Sequence, residues 1–282
     1  MTVEVYSQPL MIEIGGALSF VNVTVTSGPD PKGLVLCLHD LMGRGTEFQP
    51  IAMVLAAQGW KVVAPDFPGR GRSARVPSQF YTLATGVDVV AALLRAHPLP
   101  RSILFGSGWG ATLALAVENV WKPAPSRLVL CDLPLTWSFG SDQRARLWAE
   151  LGMLMAPSDE SFLTLAADIV APHGALGQDV LAAVLGRLCG PEGARSLGVD
   201  PGIFDILQRT AGKAFSTGPM LRVSRAETVL IYGRAAASQE PEVGIRSFAP
   251  KRPPTLAFAA CDTFVDWADP STALPVLGAI LG

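Results

Sequence analysis

The chain has 282 residues, of which 49% are hydrophobic and 16% are charged, and its formal net charge is −2. This composition excludes a disordered chain, because disordered segments are rich in charge and poor in large apolar side chains. The small negative charge disfavours nucleic-acid binding, which needs basic residues to neutralise phosphates. No apolar run reaches the ~18 residues of a membrane span, and the N-terminus does not have the pattern of a signal peptide. We therefore expect a cytoplasmic globular protein.

The first 133 residues alternate between short apolar runs and segments with helical spacing. The runs at 34–38, 60–64, 103–105 and 128–131 are typical of strands that are buried on both faces of a sheet. Helices are predicted between these strands. Repeated strand–helix–strand units predict a mostly parallel central sheet with helices on both faces and right-handed crossovers.

The strand pattern disappears between residues 134 and 222, where amphipathic helices separated by Pro and Gly are predicted instead. Strand-type runs return at 228–232 and 255–258. This order predicts two units. An α/β core consists of residues 1–133 and 223–282, and a helical cap of residues 134–222 is inserted into it.

Three motifs in the predicted core resemble those of one known superfamily. Residues 38–41, Leu-His-Asp-Leu, resemble the family's His-Gly segment, whose backbone helps to form the oxyanion hole. Residues 65–73 follow its Asp-x-Pro-Gly-x-Gly-x-Ser turn. Residues 106–110, Gly-Ser-Gly-Trp-Gly, lie between a predicted strand and helix, where the family has its Gly-x-Ser-x-Gly nucleophile elbow. Together the three motifs resemble those of the α/β-hydrolase superfamily, and the resemblance implies an α/β-hydrolase fold of the type that carries a cap domain.

The resemblance also places unsuitable residues at all three positions of the family's Ser-His-Asp triad. Gly108 stands in place of the nucleophilic serine, Ala236 in place of the acid, and Thr263 in place of the histidine base. A glycine has no atom that can attack a carbonyl, and a threonine hydroxyl cannot accept a proton near neutral pH. We therefore expect no ester or amide hydrolysis by the triad mechanism.

The segment around the presumed oxyanion hole departs from the family as well. The resemblance implies that the backbone N–H groups of Leu41 and Trp109 form this hole, and Asp40 replaces the family's glycine beside it. A carboxylate there would oppose a developing negative charge. Ser107 precedes the elbow apex and is interpreted as a hydrogen-bonded turn residue, with a displaced nucleophile as the alternative. His39 is interpreted as a structural residue of its loop, as in the family.

Further candidates surround the expected pocket between the cap and the core. Trp109, Trp137 and Phe264 would give this pocket an apolar lining, although each could equally belong to the plain core. Asp132 and Asp262 carry carboxylates near the same strand ends. Asp132 occupies an alternative acid site of some relatives, but without a base it is interpreted as a loop residue. The four cysteines lack Cys-x-x-Cys spacing, so neither a metal site nor a disulfide is predicted. We also expect no cofactor.

Three functions remain open from the sequence. The first is a pseudoenzyme that binds a small apolar molecule or serves as a regulatory or complex-forming subunit for a protein partner. The second is a lyase, cyclase or isomerase that uses Asp40, Asp132 or Asp262 as acid or base. The third is a hydrolase with displaced catalytic residues. A carboxylate buried in the pocket with a raised pKa would separate the first two.

Overall fold

The computed structural model describes residues 2–137, 143–185, 187–209, 213, 215–234, 244–245, 252–261 and 266–282. Across these ranges the strands are β1 (Glu4–Ile14), β2 (Ala17–Ser27), β3 (Gly33–Leu38), β4 (Trp60–Pro65), β5 (Ser102–Ser107), β6 (Arg127–Cys131), β7 (Thr136–Trp137), β8 (Phe215–Ser216), β9 (Glu227–Tyr232) and β10 (Thr255–Phe258). The helices with both ends in these ranges are α1 (Gln49–Ala57), α2 (Leu83–Ala96), α3 (Trp109–Val120), α4 (Gln143–Gly152), α5 (Asp159–Val170), α6 (Gly174–Leu185), α7 (Gly202–Arg209), α8 (Gly218–Val223) and α9 (Pro270–Leu281).

The centre of the molecule is an eight-stranded sheet with the strand order β1-β2-β4-β3-β5-β6-β9-β10. The six strands from β4 to β10 in this order pair in parallel, whereas β1, β2 and β4 pair antiparallel. Strands β3 and β5 are buried on both faces because helices cover both sides of the sheet. Side chains of α2 and α3 pack on one side, and side chains of α1 and α9 pack on the other. The mostly parallel α/β sheet predicted from the sequence is confirmed.

The N-terminal hairpin of β1 and β2 is an element that the sequence analysis missed. The two strands meet at Gly15 and Gly16, which have φ values of +61° and +81°. Two glycines with positive φ suit a tight hairpin turn. The alternating residues Val21, Val23 and Val25 of β2 are buried in the core. This alternation of buried residues could have predicted β2 from the sequence. It is a weaker pattern than the continuous apolar runs of the central strands.

The helices α4 to α8 and the short antiparallel pair of β7 and β8 lie between β6 and β9 in the chain. Residues 134–223 are called the helical segment below. Its apolar side chains form a cluster separate from the two faces of the sheet, and Met42 from the loop after β3 joins this cluster. The helical segment is thus packed against the loops at the carboxyl ends of the strands. Its division from the core as a domain remains a prediction.

Candidate functional site

The turn between β5 and α3 has Gly108 at its apex. Its backbone has φ +54° and ψ −114°, a conformation that favours glycine. A Cβ atom at Gly106 would lie 2.3 Å from the carbonyl oxygen of Gly110, and a Cβ atom at Gly110 would lie 2.0 Å from that of Leu38. The small residues therefore let the strand, the turn and the helix approach closely, as a strand-to-helix elbow requires.

The side chain of Asp40 reaches into this elbow. Its Oδ1 accepts hydrogen bonds from the backbone N–H of Leu41 at 2.7 Å and from that of Trp109 at 2.8 Å. These are the two N–H groups that the resemblance assigns to the oxyanion hole. A Cβ atom at Gly108 would lie 2.3 Å from Oδ1 and 3.0 Å from Oδ2 of the same carboxylate. The carboxylate thus occupies both the space of a side chain at residue 108 and the acceptor position between the two donors.

Local electrostatics favour this placement of Asp40. The N–H of Trp109 is the first of helix α3 and has no partner inside the helix. The partial positive charge of a helix N-terminus stabilises a carboxylate. Oδ2 of Asp40 makes no hydrogen bond within the described residues, and the side chain is only partly buried. One carboxylate oxygen therefore accepts two hydrogen bonds, and the other has no partner within the described residues.

His39 is fully buried and bonded at both ring nitrogens. Its Nε2 accepts the backbone N–H of Phe67 at 3.0 Å, so Nδ1 must carry the proton that it donates to the backbone carbonyl of Asp40 at 2.6 Å. Burial lowers the pKa of His39 to about 3. The ring is held neutral and its basic nitrogen is occupied, so His39 cannot supply a base to the elbow.

Arg70 is a residue of this site that the sequence analysis did not single out. It is buried, and its guanidinium donates from Nε to the carbonyl of Leu41 and from Nη1 to that of Pro68, both at 2.9 Å. The guanidinium also lies over the rings of Trp109, at 5.2 Å, and Tyr81, at 5.9 Å. Burial lowers its pKa to about 10, so it remains a cation. Arg70 ties the loop after β3 to the loop after β4.

An ion pair joins the loop after β3 to the helical segment. Arg187 donates from Nε to Oε1 of Glu47 at 2.8 Å and from Nη2 to Oε2 at 3.2 Å, and both side chains are mostly buried. The guanidinium stacks on Trp148 at 4.7 Å. Burial raises the pKa of Glu47, and the adjacent Arg187 opposes this shift. Such a bidentate pair is geometrically specific and holds the two regions together.

A second link joins the helical segment to the loop after β4. The hydroxyl of Tyr81 donates to Oδ2 of Asp200 at 2.6 Å. The backbone N–H of Asp200 donates to the carbonyl of Gly69 at 2.7 Å. Neither this link nor the ion pair of Glu47 can be read from the sequence, because the partners are more than a hundred residues apart.

Ser107 and Asp132 lie at neighbouring strand ends. Ser107 is buried at the end of β5, and the hydrogen bond expected for its hydroxyl is not found among the described residues. Asp132 follows β6 with a φ of +47°, and its Oδ1 accepts the backbone N–H of Gly233 at 3.0 Å. This contact fixes the turn after β6 against the end of β9.

Ala236, Asp262, Thr263 and Phe264 lie outside the described residues, and for Trp137 only the backbone in β7 is described. In the described part of the chain, no group of three His, Cys, Asp or Glu side chains is placed to hold a metal ion. No helix of that part is long and apolar enough to cross a membrane.

Comparisons with known proteins give the following relatives. Residues 33–150 match the family model described as alpha/beta hydrolase fold. A zearalenone hydrolase from Bionectria ochroleuca is 31% identical over 94 residues, which make up 32% of this chain and 34% of that enzyme. The matched segment thus spans about a third of this relative's length.

Solved structures resemble the chain over nearly its whole length. An alpha/beta hydrolase from Novosphingobium aromaticivorans superposes with a TM-score of 0.73 and 17% identity, covering 99% of this chain and 98% of the other. The thioesterase domain from the curacin biosynthetic pathway superposes with a TM-score of 0.66 and 20% identity, covering 98% and 100%. Identities this low bear on the fold alone.

Proposed function

The chain has the α/β-hydrolase fold, and from this premise we propose that it binds a small molecule without hydrolysing it. The proposal depends on one observation, the carboxylate of Asp40 between the backbone N–H groups of Leu41 and Trp109. An oxyanion hole acts through donors aimed at the place where negative charge develops. Here the protein's own carboxylate fills that place.

The energetic consequence for hydrolysis is large. A substrate oxygen would have to displace Oδ1 of Asp40 from both donors and then develop negative charge beside the displaced carboxylate. Loss of a single oxyanion donor costs about 3–4 kcal/mol of transition-state stabilisation in a serine hydrolase. Gly108 adds a second obstacle, because it offers no nucleophile, and the nearby His39 cannot act as a base while its Nε2 accepts a hydrogen bond.

We further propose that the helical segment, which contains the predicted cap of residues 134–222, closes over the ligand. Two polar links support this proposal, the ion pair of Arg187 with Glu47 and the hydrogen bond of Tyr81 with Asp200. Both links join the helical segment to loops that surround the Asp40 site. A ligand held there would be enclosed by the same loops.

A hydrolase with displaced catalytic residues is the second candidate, and the relatives favour it. The similar proteins include one named a zearalenone hydrolase and one named a thioesterase domain. This candidate requires a nucleophile other than residue 108. Ser107 is the adjacent hydroxyl, and it is buried at the end of β5.

The purified protein should be assayed with 4-nitrophenyl acetate and labelled with a fluorophosphonate probe for reactive serines. We expect release of 4-nitrophenol at the background rate and no labelling, since a serine without a base is a weak nucleophile. The Ser107→Ala variant serves as the matched control. Hydrolysis or labelling that this substitution removes would replace the proposal by the displaced-nucleophile candidate.

A further inference from the structure

We propose that the end of the sheet opposite the Asp40 site docks on an anionic lipid surface. This docking goes beyond the proposed function and does not depend on it. The six parallel strands begin at this end, so the segments that lead into them lie together on one side of the molecule. These segments, called the amino end of the sheet below, are residues 28–33, 58–61, 95–102, 120–127, 222–227 and 252–255.

The amino end of the sheet is strongly basic, although the whole chain has a net charge of −2. Its six segments contain nine Lys and Arg residues and only two acidic residues, Asp30 and Glu227. Glu227 is bound to the partly buried Arg127 at 2.9 Å. The basic residues that are exposed are Lys32, Arg95, Arg101, Lys122, Arg222, Arg225 and Arg252. They form no basic run in the sequence, and the parallel topology brings them together.

The strand register places these cations in a row. In the pairing of β3 with β4 and β5, Leu34 lies level with Lys61 and with Ser102. Lys32, Lys61 and Arg101 therefore lie within two residues of one level, about 7 Å along the strands. Neighbouring strands are ~4.8 Å apart, so six strands carry the row over about 24 Å. A row of this length fits an extended surface better than a small ligand.

Contacts with buried groups hold some of these cations in place. Lys32 and Arg101 lie over the ring of the buried Trp60, at 5.2 and 5.3 Å from its centre. The buried carboxylate of Glu118 accepts the backbone N–H of Arg225 at 2.8 Å. The ion pairs found within the described residues do not include Lys32, Arg101 or Arg225. Their charges are therefore available to an anionic partner.

The ends of helices explain only part of this charge. Arg95 lies in the last turn of α2, where a cation also stabilises the C-terminus of the helix. Lys32 and Arg101 instead directly precede strands β3 and β5. A helix dipole therefore does not account for them.

Exposed apolar side chains beside these cations favour a lipid surface over a nucleic acid. Val120 at the end of α3 is 66% exposed, and Val223 at the end of α8 is 49% exposed. A hydrogen bond from Asn119 to the carbonyl of Met220 joins these two helices. A nucleic acid is bound through cations and stacked aromatic rings, so exposed valines gain nothing from it. At a bilayer, apolar side chains enter the headgroup boundary while Lys and Arg bind anionic headgroups.

The proposal is tested by co-sedimentation of the full chain with vesicles of phosphatidylcholine, with or without about 30% phosphatidylserine. We expect binding only to the vesicles that contain phosphatidylserine. This binding should weaken when the salt concentration is raised from about 0.1 M to about 0.5 M. Equal binding to both kinds of vesicle, or binding to neither, would overturn the proposal.

The variant Lys32→Gln with Arg101→Gln and Arg225→Gln removes three charges from the row. Each Lys or Arg beside an anionic bilayer strengthens binding about 5-fold, so we expect this variant to bind about 100-fold more weakly. Circular dichroism checks that it is folded. Lys122→Gln with Arg225→Gln leaves the contacts of Trp60 intact and should weaken binding about 25-fold. Unchanged binding of a folded variant would overturn the proposal.

The matched control removes three exposed arginines that lie outside the amino end of the sheet. It combines Arg75→Gln, Arg146→Gln and Arg209→Gln, and it has the same net charge as the first variant. We expect it to bind the vesicles as the wild type does. An equal loss in the control would show that net charge alone governs binding, against a docking surface.

Poly-L-glutamate and DNA represent the other classes of anionic partner. Val120→Ser with Val223→Ser should weaken binding to vesicles about 5-fold, because the two valines no longer enter the headgroup boundary. Vesicle binding that these substitutions leave unchanged would contradict a docked lipid surface. Binding of the wild type to poly-L-glutamate or DNA, but not to vesicles, would replace the lipid surface by an acidic macromolecule.

Discussion

In two turns, at Gly71 and at Gly108, an aspartate carboxylate packs against a glycine with positive φ. The two carboxylates differ in how many of their oxygens accept hydrogen bonds. Both glycines have a φ of +54°, and a Cβ atom would lie 2.4 Å from Asp66 in the first turn and 2.3 Å from Asp40 in the second. Each carboxylate fills the space of the missing side chain and accepts backbone N–H groups. A glycine in such a turn therefore makes room for a carboxylate as well as for an unusual φ.

The difference lies in the second oxygen of each carboxylate. Asp66 is buried and uses both oxygens, accepting from the backbone of Gly45 and Arg72 and from the side chain of Asn22. Asp40 is partly buried, and in the described part of the chain hydrogen bonds reach its Oδ1 alone. Both oxygens of Asp66 thus have partners, whereas Oδ2 of Asp40 has none among the described residues. This contrast supports a binding role for Asp40 in addition to its structural one.

The largest expected effect is on the free energy of unfolding, which should fall more when Asp66 is replaced than when Asp40 is replaced. Asp66→Ala would leave three donors without their acceptor, at 1–3 kcal/mol for each buried donor, so we expect a loss of about 4 kcal/mol in the free energy of unfolding. Asp40→Ala leaves two partly exposed donors, and we expect about 2 kcal/mol. Urea denaturation monitored by circular dichroism measures both values. A larger loss for Asp40→Ala would reverse the comparison.

The next effect concerns the rate of ester hydrolysis. Gly108→Ser with Thr263→His and Ala236→Asp would rebuild the residue types of the triad but retain the Asp40 carboxylate, which the new Cβ atom at residue 108 would crowd. Adding Asp40→Gly frees the two donors, which we expect to raise the rate with 4-nitrophenyl acetate by about 100-fold or more. The control is Asp40→Gly alone, which should remain inactive. If the triple variant were as active as the quadruple variant, Asp40 would not block the site.

A steric effect should be visible at Gly108 itself. Gly108 and the exposed Gly174 have nearly the same backbone, φ +54° and ψ −114° against φ +55° and ψ −130°. A Cβ atom at Gly174 meets nothing within 4 Å, so Gly174→Ala measures backbone strain alone, about 1–3 kcal/mol. Gly108→Ala adds the clash with Asp40, and we expect about 2 kcal/mol of further destabilisation.

The double variant Gly108→Ala with Asp40→Gly isolates this clash. Removing the carboxylate should make Gly108→Ala as costly as Gly174→Ala, and thermal or urea unfolding of the four proteins in the cycle measures the coupling. Additive effects of Gly108→Ala and Asp40→Gly would show that the two residues do not compete for the same space.

These comparisons also show where prediction from the sequence succeeds and where it ends. Strands such as β3 and β5 are continuous apolar runs that are buried on both faces, and this local signal suffices to predict them. The motif around Gly108 predicts its turn for the same local reason. The direction of the Asp40 side chain depends instead on how its loop packs against Trp109, a residue 69 positions away. Long-range packing also determines the contact of Glu47 with Arg187, 140 positions apart.

At pH 5.5 and above, the smallest expected effect concerns His39, which connects the two turns by bonding to the backbone of Asp40 and of Phe67. Burial lowers its pKa from an ordinary 6.5 to about 3. As the pH falls below 6.5, the unfolded chain therefore takes up a proton that the folded protein refuses until about pH 3. This proton lowers the free energy of unfolding by up to about 1.4 kcal/mol per pH unit in that window, and stability is fully retained above it.

The pKa of His97 is lowered to about 4, so His97→Asn should be used to separate the two contributions. NMR of the histidine rings should show no titration of His39 between pH 8 and 5, and a midpoint near 6.5 would contradict the neutral bridge between the turns.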